Sequence, residues 1–126
     1  MTLKDTPWKD PIGETNHYFV YRDKYPVTEG HLLFVPKEDL ACYLDKCFLG
    51  AYAQGQSLVK EGLCDGFNIG MNMGEHAGQT IMYPHIHLIP RYEGDLGRFE
   101  NGTPYDPTGG VRNVIPDKGN YKTCIG

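Results

Sequence analysis

The segment Tyr83-Pro84-His85-Ile86-His87-Leu88-Ile89-Pro90 holds the residues best equipped for chemistry. Side chains alternate between faces along an extended chain, so His85 and His87 share one face while Ile86 and Leu88 share the other. Adjacent imidazoles of this kind suit three roles. They ligate a transition metal if a third ligand such as His31 or Asp23 joins them. They act as nucleophile and acid–base group on a phosphoryl centre. Or they form a half-exposed polar pair with no chemistry at all. The stretch before them, Asn72 to Thr80, is small, turning and rich in amides. Gly74 and Gly78 permit close backbone approach, and main-chain N–H groups together with the Asn72 and Gln79 amides offer neutral donors to phosphate oxygens. A tight connection between strands has the same composition, so the loop alone decides nothing.

Several elements must position these groups. His17–Arg22 and His31–Val35 are rich in aromatic and β-branched residues and read as neighbouring strands, with turn chemistry from Asp23 to Gly30 between them. From Tyr43 to Glu61, Leu44, Cys47, Phe48, Ala51, Leu58 and Val59 keep a helical period. Lys60 falls in the last turn, and Gly62 is placed as a left-handed cap. Gly55 lies on the apolar face of this helix, where a missing side chain lets a sheet approach closely. Phe67–Asn72 alternates like a strand buried on one face. Thr80–Pro90 reads as another strand, with Pro84 at an edge, bulge or start. Met1–Glu14 is expected to be an arm without a repeating element, and residues 93–126 a loop-rich tail in which Val111–Ile115 is a short strand. The order strand, strand, helix, strand, strand predicts one α+β domain over 1–126, an antiparallel sheet carrying one long helix.

Composition narrows the function. At 126 residues the chain is of single-domain size, and 40% apolar with 22% charged content is ordinary for a globule. A net charge of −4 argues against broad binding to nucleic acid polymers or anionic membranes, while leaving room for a small anionic ligand. No apolar run approaches the roughly 18 residues of a membrane span, and the polar start has no signal-peptide core, so a cytoplasmic location is expected. Cys42, Cys47, Cys64 and Cys124 include no C-x-x-C pair. On a helix Cys42 and Cys47 point about 140° apart, so idle thiols are expected rather than a zinc or redox site.

The residues taken together resemble the histidine triad (HIT) family of nucleotide hydrolases and transferases. Its motif is His-φ-His-φ-His-φ-φ, φ being apolar, preceded by Gly-Gln-Ser/Thr and often followed by Pro-Arg. Gly78-Gln79-Thr80, Tyr83-Pro84-His85-Ile86-His87-Leu88-Ile89 and Pro90-Arg91 fit in register, with Tyr83 standing where the first histidine belongs. Arg22 to His31, followed by Leu33 to Lys37, looks like the family's strand-turn-strand around the nucleoside. Gly109 to Pro116 resembles a tail of bacterial-type members, the branch that includes diadenosine polyphosphate hydrolases.

The resemblance implies a HIT-like fold with about five strands, and roles position by position. His85 matches the nucleophile, its Nδ1–H tied to a backbone carbonyl and its Nε2 free to attack the α-phosphorus. His87 matches the third histidine, beside the scissile bond, where transferase branches usually carry Gln; histidine there favours hydrolysis. Asn72, Gln79 and Thr80 match phosphate contacts. Asp23 matches the acceptor of the ribose hydroxyls, Tyr21 and Leu33 match positions lining the base, and His31 belongs to the same nucleotide pocket. Tyr83 retains a hydrogen bond but cannot supply a histidine's cation at neutral pH. His17 and His76 match no role. The implied substrate is a dinucleoside polyphosphate or a nucleoside phosphoramidate, with no tightly bound cofactor, Mg²⁺ arriving at most with a polyphosphate, and a homodimer as the assembly. A nucleotide-binding protein that has lost turnover, and a metal site on His85, His87 and His31, are the alternatives.

Overall fold

Side chains alternate between faces along each strand, and β3, apolar throughout, is buried on both faces of the sheet. The computed structural model describes residues 1–119. It contains β1 (Gly13–Glu14), β2 (Tyr18–Arg22), β3 (Leu32–Pro36), α1 (Ala41–Lys60), β4 (Gly66–Gly70) and β5 (Ile86–Arg91). The five strands are antiparallel in the order β1-β2-β3-β5-β4.

Cross-strand partners share a face, so the register sorts the side chains. Val20, Phe34 and Ile86 line up on one face, as do Leu32, Leu88 and Ile69. This is the face that α1 covers, packing Cys47 and Ala51 against Phe34, Ile86 and Leu88. Burying an aliphatic side chain of this size contributes about 1.5–3 kcal/mol. Gly55 gives the close approach its position suggests: a Cβ there would lie 2.6 Å from the ring of Phe67. Gly62, at φ +74°, stops the helix in the left-handed region.

The opposite face carries Tyr21, Leu33 and His87 in one cross-strand row. There Tyr21, Leu33, Val35 and Tyr83 form a second buried cluster, against which Leu3, Trp8 and Phe19 pack. The helix therefore holds the sheet from one side and leaves the other for a site.

Three sequence expectations change. The strand expected over Thr80–Pro90 begins only at Ile86. Pairing with β3 ends at Phe34↔Ile86, and Pro84, which has no N–H, cannot extend that ladder. The N-terminal arm does contain regular structure, a 3₁₀ turn at Leu3–Asp5 and the edge strand β1. The short strand expected at Val111–Ile115 is a 3₁₀ helix, Gly110–Val114, entered through positive φ at Gly109 and Gly110.

The chain divides into two compact units, Met1–Arg91 and Tyr92–Gly126. The first contains the sheet and α1. In the second, Arg98 bridges Pro104, and the rings of Phe99 and Tyr105 pack edge to face at 4.6 Å. Cys42, Cys47 and Cys64 are free thiols, with burial pushing the Cys47 thiol up to about 12. Cys124 lies outside the described residues. No described helix is long and apolar enough to cross a membrane.

Candidate active site

On the sheet face away from α1 lies a pocket of about 320 Å³. Asp23, Leu33, Thr80, His85 and His87 line it, together with Pro7, Trp8, Lys24, Tyr25 and Ile81.

His85 stands just before β5, where Pro84 has turned the chain out of the ladder. The residue is 8% exposed, and its Nδ1–H donates to the main-chain carbonyl of Tyr83 at 2.7 Å. In the neutral imidazole this assigns the proton to Nδ1 and leaves Nε2 with a lone pair.

His87 and His31 are fixed by a chain of hydrogen bonds that begins at the main chain. The Val27 N–H donates to His31 Nδ1 at 3.1 Å, so neutral His31 carries its proton on Nε2. That Nε2 lies 2.9 Å from His87 Nδ1 and 3.4 Å from Asp23 Oδ2. His31 Nε2–H therefore donates to His87 Nδ1, and His87 keeps its own proton on Nε2. The pocket thus receives an N–H donor from His87 and a lone pair from His85. Burial, reinforced by the neighbouring His85 and His31 and opposed by Asp23, pushes His87 down to about 4. Burial also lowers His31, again against Asp23. Both shifts favour the neutral rings.

The turn between β2 and β3 builds this relay. Asp23 N–H donates to the His31 carbonyl at 3.0 Å, and Thr28 Oγ1–H reaches the Pro90 carbonyl at 2.7 Å. Asp23 Oδ1 accepts the Tyr25 N–H at 2.8 Å, and Oδ2 faces the two histidines.

Asp23, His31 and His87 bring their ligand atoms within 4.8 Å of one another, close enough to be tested as a metal site. The donor set fits poorly. To ligate through Nε2, His31 would have to carry its proton on Nδ1, where it would collide with the Val27 N–H.

Other expected residues sit elsewhere. Tyr21 is buried in the second cluster, its ring centroid 6.2 Å from Trp8, and is not among the pocket-lining residues. The aromatic rings that line the pocket besides the two histidines are Trp8 and Tyr25. Gln79 is buried with its amide engaged inside its own loop, Oε1 accepting the Gly74 N–H at 2.8 Å and Nε2 donating to the Ile81 carbonyl at 3.0 Å. It braces the loop, because a buried amide must find partners. Asn72 is exposed and does not line the pocket. Tyr83 is also absent from this pocket; its hydroxyl donates to the Pro36 carbonyl at 2.6 Å. His17 packs edge-on against Tyr43, and His76 is exposed in a 3₁₀ turn at Glu75–Ala77.

Residues 8–94 match the HIT domain. The chain belongs to the HIT family. Members of this family bind small nucleotides and are generally hydrolases or transferases. A HIT-like protein of Mycoplasma pneumoniae is 33% identical over 93 residues, 68% of this chain and 65% of that one. A HIT-like protein of Methanocaldococcus jannaschii is 38% identical over 94 residues, 67% of this chain and 70% of the relative. The chain thus spans about two thirds of the length of these relatives. Among solved structures, a HIT family protein of Bacillus anthracis superposes with a TM-score of 0.59 at 32% identity, covering 68% of this chain and 65% of that one. A zinc-bound histidine triad family protein of Mycobacterium smegmatis superposes at 0.55 with 35% identity, covering 77% and 73%. This HIT domain departs from the motif at Tyr83, and there the structure turns the side chain away from the pocket.

Proposed function

We propose that this HIT domain hydrolyses a nucleotide conjugate at the α-phosphate through a nucleotidyl intermediate on His85. The observation that carries the reading is the 2.7 Å bond from His85 Nδ1–H to the Tyr83 carbonyl, which presents Nε2 as a lone pair at the pocket. Nε2 attacks the α-phosphorus, an Nε2–P bond forms, and the bond to the leaving group breaks with its electron pair departing on that group. Water then attacks phosphorus and the Nε2–P bond breaks, releasing a nucleoside monophosphate and restoring the lone pair; the proton that the water loses balances the one the leaving group takes up from solvent as it departs.

His87 supports the developing charge through Nε2–H, a neutral donor held in orientation before the reaction starts. Asp23 takes the ribose hydroxyls, and Leu33 provides apolar surface for the base. We assign the substrate to the dinucleoside polyphosphates or nucleoside phosphoramidates, nearest in type to the bacterial diadenosine polyphosphate hydrolases. We propose a cytoplasmic homodimer with no resident cofactor; Mg²⁺ enters only with a polyphosphate, held mainly by phosphate oxygens. The test is release of nucleoside monophosphate from diadenosine tetraphosphate and from adenosine 5′-phosphoramidate. Turnover by the parent that is lost in His85→Ala supports the reading, and turnover that survives in His85→Ala rejects it.

A further inference from the structure

The His85 ring has a neighbour that the hydrogen-bond network does not include. Trp8 packs on it with ring centroids 4.8 Å apart and planes inclined at 62°. His87 lies on the same imidazole at 5.2 Å and 61°.

A single hydrogen bond at Nδ1 does not fix an imidazole. The χ2 torsion of histidine is broad, so a ring held only by the Tyr83 carbonyl can still swing about that contact and move Nε2. Close-packed rings limit the swing, and here they come from Trp8 and His87.

Trp8 is itself firmly held. On one side of it in the chain, the Thr6 hydroxyl donates to the Leu3 carbonyl at 2.7 Å, and Leu3 packs on the second buried cluster. On the other side, the Ile12 N–H donates to the Val20 carbonyl at 2.8 Å, and β1 pairs with β2. The indole packs on the same cluster between these two anchors. The arm therefore delivers a rigid aromatic group to one ring of the site.

We propose that Trp8 is a positioning residue for His85, holding its imidazole so that Nε2 faces the scissile phosphorus. The proposal rests on His85 being the nucleophile. Misplacing a reacting atom by about 1 Å costs on the order of 100-fold in rate, while ground-state binding need not change.

The experiment compares the full chain with Trp8→Phe and Trp8→Leu on diadenosine tetraphosphate and adenosine 5′-phosphoramidate, following monophosphate release and thermal unfolding. Trp8→Leu is expected to lower kcat by about 10- to 100-fold with KM within about threefold, and Trp8→Phe, which keeps a rigid ring, to recover most of the rate. Trp8→Met takes the place of Trp8→Leu if that variant does not fold. An unchanged kcat with a raised KM would make Trp8 only a wall for the base and overturn the proposal. A kcat loss in Trp8→Leu that Trp8→Phe fails to recover would overturn it as well. Loss of turnover in His85→Ala, measured alongside, upholds the proposed function whichever way the Trp8 variants fall.

Discussion

Tyr83 serves His85 and β3 with different parts of itself. Its main-chain carbonyl accepts His85 Nδ1–H at 2.7 Å, while its phenol donates to the Pro36 carbonyl at 2.6 Å. The contact that orients the imidazole depends on the backbone alone. The side chain decides how firmly the segment before β5 is anchored to the end of β3. Tyrosine can therefore stand at the first triad position without entering the pocket.

Tyr83→Phe is accordingly expected to lower stability by about 0.5–1.5 kcal/mol, the usual net value of one hydrogen bond. Its kcat should fall by a similar factor on substrates with good and with poor leaving groups. Chemical denaturation and a paired kinetic comparison check both points. A rate loss confined to the poor leaving group would put the phenol in the reaction.

The neutral His31–His87 pair makes stability depend on pH. Both rings are held below the ordinary histidine value, His87 to about 4, so the unfolded chain takes up protons first as pH falls. Their contribution to stability is intact above about pH 6.5 and declines toward pH 4, by an amount on the order of 2–3 kcal/mol for His87. Urea unfolding of the parent and His87→Gln across this window is expected to show a shallower decline in the variant. Identical pH slopes would mean that His87 is not held neutral.

Because Val27 commits His31 Nδ1 as an acceptor, the Asp23, His31 and His87 group is expected to work as a hydrogen-bond relay and not as a zinc site. Elemental analysis of the purified protein should find no stoichiometric zinc. About one zinc per chain, lost in His87→Ala, would contradict this.

Gly55→Ala tests how α1 is seated. The added Cβ would lie 2.6 Å from the Phe67 ring, so the ring or the helix must move. A loss of about 1–3 kcal/mol is expected in thermal or chemical unfolding, outweighing alanine's better helix propensity. A stabilised variant would show that α1 and β4 have room between them.

Where local chemistry determines structure, the sequence was legible. Aromatic and β-branched content marks β2 and β3, and alternation marks β4, to within a residue or two; Gly62 marks the end of α1 because its left-handed backbone closes the helix. That His85, His87 and Asp23 line one pocket is legible because the motif keeps them in fixed register with β5 and with the turn after β2. Trp8 was missed. It lies in an arm with no periodicity, and its partners Tyr21 and His85 are remote in sequence. The motif matches Gln79 to a phosphate contact, while its partners in the structure, Gly74 and Ile81, belong to a loop whose shape no spacing rule specifies. Read from sequence, β5 starts too early, at Thr80, because the outcome at Pro84 depends on where β3 stops pairing.

The central claim is a covalent bond between His85 Nε2 and the α-phosphorus. Quenching the parent with diadenosine tetraphosphate under alkaline conditions during turnover, followed by intact-protein and peptide mass spectrometry, tests it most directly. The expected result is one added nucleotidyl group per chain, located on His85 and absent from His85→Ala. Turnover by the parent with no adduct at any time point, or an adduct that persists in His85→Ala, would contradict the account.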